Sequence, residues 1–582
     1  MTVAATHPPV HDRPPRLTAD SFQPILALAA KAADGITPED ITTATRSPAT
    51  RPATGAIDAL LARGWMTRDR HGHLRAAGRF VEGQLSFTRS GSAFVESLGA
   101  GTTAFIPAGS THTAFPGDLV RAWLPPATPS QGRLPEGMVV DVLRRSRETL
   151  TGQIRRAGDA ASADLLDART PQRIRLPDGT TCPDGTWARI RLDPWTDPRR
   201  QPTGRIDAVL GTDADPTTDE RLLATEYDLP AAFPDEVEAE AARCHLDPAD
   251  GRDRLDLRDR FVITIDPADS RDFDDALSLR RLGPDTWELG VHVADVSHFV
   301  TPGSAMDREA FARGCSTYLP NRVIPMLPEK LSTDLCSLNP GVDRLAFTAL
   351  VRLTMGGDVH GVRFAPSVIR SRQRLSYEQA FAALSGPAES AARRTGLDAR
   401  TVRTVRELNA LAKALTSHRR ADGALELASA ERKLRLDAAG RVTGIDPVHQ
   451  DDAHRLVEEC MLVANEYACR TLAEAGVAQL HRIHPEPEYG RIGTACNALR
   501  EAGVTAATAA NRTDLARLLG DLSARDDAAV WTATLLRALP RAEYAVDTHG
   551  HFGLAKAYYA HFTSPIRRYP DLVTHRLLKV LL

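Results

Sequence analysis

The sequence predicts a multidomain α+β protein: an N-terminal winged helix-turn-helix, one or two small five-stranded β-barrels, and a C-terminal α/β domain that carries the chemistry. Three observations predict this. At 582 residues the chain is well beyond a single hydrophobic core and long enough for three or four domains. The apolar pattern changes along it, from helical spacing, to short runs between Gly, Pro and Ser turns, to long helical stripes interleaved with strand-like runs. Finally, ITIDPADSRDFDDALSL (263–279) sets Asp266, Asp272, Asp274 and Asp275 between two strand-like runs.

Residues 1–16, rich in Pro, His and Arg without periodicity, are expected to be a disordered lead. Within 17–80, Phe22, Ile25, Leu26 and Ala29 recur at helical spacing, TPEDI (37–41) offers a Thr cap with Pro at the first helical position, and Ile57, Leu60 and Leu61 mark a third helix. GWMTRDRHGHLRAAGRF (64–80) then reads as two small strands around His71-Gly72, the wing. Arg46, Arg51, Arg68 and Arg70 are its candidate phosphate contacts. Docking to nucleic acid and docking to a protein partner are nearly equal readings of such a module.

From Gly83 the pattern is one of alternation and turns, which predicts a first barrel over 81–156. Phe87, Phe94, Phe105 and Trp123 are aromatics there that could present faces to bases. Phe87 and Phe94 are candidate RNA contacts, since an exposed ring stacking on a base contributes about 1–3 kcal/mol, whereas Trp123 is expected in the core. A second barrel is expected over 157–215, with strands in RIRLPDG, TWARIRLDPW and PTGRIDAVLG. An acidic, Pro-broken linker (216–258) leads to the catalytic domain at 259–582.

Composition sets bounds on function. Hydrophobic residues make up 42% and charged residues 25%, ordinary values for a globular chain. No apolar run is long enough to span a membrane, and MTVAATHPPVHDRPPR has no apolar signal core, so a cytoplasmic protein without a membrane partner is expected. The seven cysteines are scattered without a CxxC pair, which suggests neither disulfides nor structural zinc. A net charge of −3 does not by itself point to nucleic acid, but clusters such as Arg144, Arg145, Arg147, Arg155 and Arg156 leave room for a locally basic channel. A phosphate loop GxxxxGK[ST], HExxH and GxSxG are all missing, which argues against a helicase, a metalloprotease or a serine hydrolase.

Asp266, Asp272, Asp274 and Asp275 fall in one turn beside apolar runs, so some of them must lie at a core edge, where like charges repel strongly. A divalent cation relieves that repulsion, and all-oxygen ligands suit magnesium or manganese. An EF-hand counted from Asp266 fails, because position 6 is not Gly and Leu277 stands where the bidentate Glu is required.

This spacing resembles the signature of the ribonuclease II / ribonuclease R family, hydrolytic exoribonucleases with an RNB catalytic domain. HVADVSHFV (292–300), STYLPNRVIPMLPEKLSTDLCSL (316–338), VEECMLVANEYA (457–468) and HFTSPIRRYPDLVTHRLL (561–578) resemble it in the same order. The resemblance implies OB/cold-shock-like barrels before the catalytic domain. It also implies a magnesium-dependent (or manganese-dependent) enzyme that degrades single-stranded RNA from the 3′ end to nucleoside 5′-monophosphates, leaving a short end product. By the same resemblance Asp266 and Asp275 hold the main metal, Asp272 and Asp274 complete the site, and Arg567 is the catalytic arginine. Tyr318 would stack on the RNA 3′ end, Tyr377 and one of Glu458 and Glu459 would face a nucleotide, and Arg568 would join Arg567 at the phosphate. His292 is expected to border the site, and Asp295 and His298 to serve structure. Pro565 suits the first turn of a helix whose amides would attract phosphate.

The family usually continues beyond this point with further helices and a C-terminal barrel, so grip on RNA is expected to fall on the winged module, and the chain is expected to act as a monomer. Reading the chain instead as a non-catalytic RNA-binding or chaperone protein, or as a winged-helix regulator, leaves the four aspartates and Arg567 unexplained.

Overall fold

The computed structural model describes residues 25–582 apart from 31, 33–34, 45–52, 98–102, 127–133, 171, 231, 427–430, 449, 505–507 and 526. The expected disordered lead and Phe22, Arg46 and Arg51 lie outside the described residues. The chain divides into two compact units, Met1–Leu229 and Pro230–Leu582.

In the first unit, helical segments at 25–30, Pro38–Ala44 and Ala53–Ala62 pack through Ile25, Leu26, Ile41, Ile57 and Leu60. A two-stranded hairpin, Met66–Arg68 with Leu74–Ala76, turns at His71-Gly72. Two five-stranded antiparallel sheets follow. The first, within 79–144, runs in the spatial order Thr103–Ile106, Ala93–Ser97, Arg79–Phe87, Leu119–Leu124, Met138–Arg144. The second lies within 149–212 and repeats that order pattern. Thr149–Ala157, expected to close the first barrel, instead begins the second by pairing with Ala160–Leu165 and Thr186–Leu192.

Alternation along Arg79–Phe87 turns Gly83, Leu85 and Phe87 inward. Phe87 is therefore a core residue, 5% exposed among Leu85, Val95, Ile106 and Val120, and not a face for bases. Phe94 and Phe105 stand directly opposite on neighbouring strands with ring centroids 5.6 Å apart, and both stay half-buried. Trp123 is fully buried, and its indole N–H donates to the Ala77 carbonyl at 2.8 Å. Most of the basic cluster is internally paired: Arg145 with Asp118, Arg147 with Glu226, and Arg155 with Asp164.

The second unit is built on a sheet that closes on itself. Val262–Asp266, Asp275–Arg281, Trp287–Ala294 and Asp343–Leu353 pair in succession, antiparallel throughout. Val359–Ser376 then completes the ring, antiparallel to Asp343–Leu353 and parallel to Val262–Asp266. Ile263, Leu277, Val291, Phe347 and Phe364 face one core together with Val402, Val405, Leu408, Leu411 and Leu415 of the helix Ala399–Ala421. That stripe matches the helical spacing in the sequence. Asp452–Glu474 packs on the same core through Leu456, Cys460, Val463 and Ala468. A second core, containing Val262, Ala276, Ala294 and Ile566, lies apart from it.

His292 does not border the site: it is buried, bonded to Ser278 Oγ and Thr348 Oγ1 at 2.9 Å each. Asp295 is structural as expected, ion-paired with Arg254 at 2.7 Å and Lys579 at 2.5 Å. Among the described residues no helix is long and apolar enough to cross a membrane, and all seven cysteines are free.

Candidate active site

The strand Val262–Asp266 delivers Asp266 at its end, the loop 267–274 carries Asp272 and Asp274, and Asp275 opens the next strand. The loop has a shape of its own because its backbone is bonded from outside. Arg374 Nη2 donates to the carbonyls of Pro267 and Ala268 at 2.7 and 2.8 Å. Ser337 Oγ accepts from the Phe273 amide at 3.0 Å and donates to the Arg271 carbonyl at 2.8 Å. Phe273 is buried in the second core, which turns Asp274 inward beside it.

Asp274 is 4% exposed. Its Oδ1 accepts from the Ile566 amide at 2.8 Å, and its Oδ2 lies 3.5 Å from Arg567 Nε but has no hydrogen-bond donor. Asp266 Oδ2 is likewise buried without a donor. Asp272 is better solvated, accepting from Ser270 Oγ at 2.8 Å and from the Tyr318 hydroxyl at 3.3 Å.

Burial drives the Asp266 carboxyl well above the ordinary range, and the neighbouring Asp275 charge adds to the rise. Burial raises Asp275 too, against the pull of Arg567 and Arg568. The strongly buried Asp274 is also pushed up, opposed by Arg567 and by the Ile566 amide. Crowded carboxylates whose ionised forms are disfavoured are a receptor for positive charge. Among the described residues no three His, Cys, Asp or Glu groups converge into a finished metal shell. What fits a hard cation here is the pair of desolvated, unpartnered oxygens on Asp266 and Asp274 within an all-oxygen donor set.

The opposite wall is the turn 564–568. Its shape comes from Asp571, which is fully buried and whose Oδ1 accepts from the Ser564 amide at 2.8 Å and from Arg568 Nη2 at 2.7 Å. Asn465 Oδ1 accepts from the Phe562 amide at 2.8 Å, and His575 bonds the Phe562 carbonyl at 2.7 Å, which anchors the approach to the turn. The helix begins only at Tyr569, with Pro570 in its first turn. Pro565 is therefore not a helix-starting residue, and Arg567 and Arg568 precede the helix in the turn. Arg567 is 45% exposed at its side chain and held by Ser564 Oγ at 3.2 Å. Arg568, expected to face phosphate, engages Asp571 and braces the turn.

The two tyrosines differ in setting. Tyr318 is 54% exposed at the mouth, with its hydroxyl on Asp272. Parallel pairing sets Asp266 beside Ser376, which caps the helix beginning at Tyr377. The Asp275 and Asp266 charges help burial to raise the Tyr377 hydroxyl, so it stands near the acids. Its ring is stacked flat on His454, with centroids 3.9 Å apart and planes 9° apart.

Glu458 and Glu459 separate sharply. Glu459 is 2% exposed, pairing with Arg419 at 2.6 Å and accepting from Thr416 at 3.0 Å, so it is not a nucleotide contact. Glu458 is the exposed member of the pair. Sequence patterning missed Arg374, Ser337 and Asn465, because each acts on backbone groups distant along the chain, and Asp571, whose bonds within its own turn follow no periodic pattern.

Residues 254–582 match the RNB domain model, and residues 165–234 match a cold shock domain. The chain is 36% identical over 535 residues to ribonuclease R of Thermotoga maritima, covering 89% of this chain and 73% of that protein. Against ribonuclease R of Escherichia coli it is 34% identical over 513 residues, covering 86% of this chain but only 62% of the relative's length. Among solved structures it resembles Mycoplasma genitalium RNase R in complex with ribose methylated single-stranded RNA, with a TM-score of 0.78 and 27% identity over 86% of this chain and 79% of that one.

Proposed function

Because the chain belongs to the RNB-domain exoribonuclease family that includes ribonuclease R, we propose that it hydrolyses single-stranded RNA from the 3′ end. It releases nucleoside 5′-monophosphates and stops at a short end product. One observation carries this reading: the unpartnered, buried oxygens of Asp266 and Asp274 are gathered with Asp272, Asp275 and the half-exposed guanidinium of Arg567.

Asp266, Asp272, Asp274 and Asp275 would hold the divalent cation. Magnesium suits the donor set, and manganese would serve in its place. When bound, the cation lowers the cost of ionising the attacking water and offsets charge on the phosphoryl oxygens.

The protein's own groups do the rest. Arg567, fixed by Ser564 and drawn toward Asp274, presents permanent planar charge where negative charge develops on the phosphoryl group. Tyr318, tethered through its hydroxyl to Asp272, offers an exposed ring for the penultimate part of the RNA 3′ end and so sets the scissile phosphate against the acids. Tyr377 and Glu458 supply contacts to the terminal nucleotide.

In Met1–Leu229 we read the helices and hairpin as a winged helix-turn-helix serving RNA or a protein partner. The two sheets are read as oligonucleotide-binding barrels, with Phe94 and Phe105 as the stacking faces. The chain acts as a monomer in the cytoplasm.

The test is RNA labelled at either end, with and without magnesium. Label at the 3′ end should appear at once as mononucleotide, and label at the 5′ end should move down a ladder to a short limit. Binding without release, or release starting from the 5′ end, would overturn the reading.

A further inference from the structure

A group outside the aspartate site has the features of a substrate contact. The short strands His481–Ile483 and Glu543–Ala545 pair so that Arg482 stands directly opposite Tyr544. The Arg482 guanidinium carbon lies 4.9 Å from the centre of the Tyr544 ring. The Tyr544 hydroxyl is 2.6 Å from His561 Nδ1, and the two rings meet edge to face at 5.5 Å. Burial and the nearby charges of Arg568, Arg482 and Arg567 hold the His561 pKa down, so its neutral ring accepts from the tyrosine. An aromatic ring is thus fixed at three points, yet Tyr544 remains 39% exposed.

Its neighbourhood is that of the active-site turn. Asp571, Arg568, Arg482 and Cys315 all lie near enough to influence the Tyr544 hydroxyl. Cys315 bridges Arg568, and the Ser316 amide donates to the Arg567 carbonyl at 3.0 Å, two residues before Tyr318. Tyr318 and Tyr544, both exposed, therefore neighbour one segment, 315–318. Among the described residues Arg482 has no carboxylate partner, unlike Arg568, which is paired with Asp571. A pre-ordered ring beside an uncompensated guanidinium matches the two chemistries of a single-stranded nucleotide, a base face and a phosphate.

We propose that Tyr544, held by His561 and flanked by Arg482, is a second stacking position for the RNA strand, distinct from the one at Tyr318, with Arg482 contacting the adjoining phosphate. This rests on the exoribonuclease reading. Tyr544 acts on binding and register, and takes no part in bond cleavage.

The experiment uses the full chain carrying Asp274→Asn, which keeps bound RNA intact, and oligoribonucleotides with 2-aminopurine at successive positions from the 3′ end. Stacking quenches that base. One position should regain fluorescence with Tyr544→Leu, stay quenched with Tyr544→Phe, and differ from the position released by Tyr318→Ala. Tyr544→Leu should also weaken binding by roughly tenfold. Arg482→Gln should leave the quenching in place and reduce the salt slope of binding by about 0.7. A Tyr544→Leu profile identical to its parent overturns the proposal, while a wild-type chain that releases no nucleotide from RNA overturns the reading beneath it.

Discussion

The Ile566 amide donates to Asp274 Oδ1 at 2.8 Å across a separation of 292 residues, locking the acidic loop to the arginine turn. One oxygen of Asp274 is thereby fixed and the other is left bare. One side chain thus joins the two walls of the site and carries a buried oxygen without a donor.

Asp274→Asn should keep the Ile566 hydrogen bond through the amide oxygen while removing the charge. The expected outcome is a loss of turnover of roughly 10²–10⁴-fold with RNA affinity nearly intact. Single-turnover kinetics and filter binding check it, and wild-type rates would refute the metal-site assignment.

Tyr318→Ala removes an exposed ring whose only described hydrogen bond is to Asp272. Activity should fall moderately, and the smallest oligonucleotide left after complete digestion should lengthen. An unchanged limit product on a sequencing gel would count against the clamp.

With divalent cations chelated, stability should fall as pH rises. The sign follows from Asp266, Asp274 and Asp275, whose pKa values in the folded chain lie above the free carboxyl value of 3.8. Each binds its proton more tightly folded than unfolded, so above about pH 4 the unfolded state gains by losing it. Asp266→Asn should therefore raise the melting temperature in chelator at neutral pH, by about 1–3 kcal/mol of stability, and have little effect near pH 4. Magnesium should stabilise the wild type more than the variant. Equal melting curves for the two at both pH values would show that the acids are not strained.

Glu459→Ala leaves Arg419 buried without its partner and should cost about 3–5 kcal/mol of stability. Glu458→Ala should barely move the melting temperature but raise KM for RNA. Calorimetry and steady-state kinetics distinguish the two, and the reverse pattern would place the wrong glutamate at the substrate.

The placement of the acids was legible in the sequence because it is local. The four aspartates lie within ten residues, and the alternating runs on either side put Asp266 and Asp275 at strand ends with Asp272 and Asp274 in the loop between. The helical stripe from Val402 to Leu415 was legible for the same reason, since periodicity along one element reports which face is buried. Tertiary structure decided whatever depends on a partner far along the chain. It sent Phe87 into the core of the first sheet and gave Thr149–Ala157 to the second, because strand pairing chooses the partner when several runs alternate equally well. It also divided Glu458 from Glu459, one helical step apart, because Arg419 approaches only one side of that helix. Asn465 and Arg374 shape the site through a few hydrogen bonds to backbone about a hundred residues away, and Asp571 through bonds within its own turn; such bonds leave no periodic trace in a sequence.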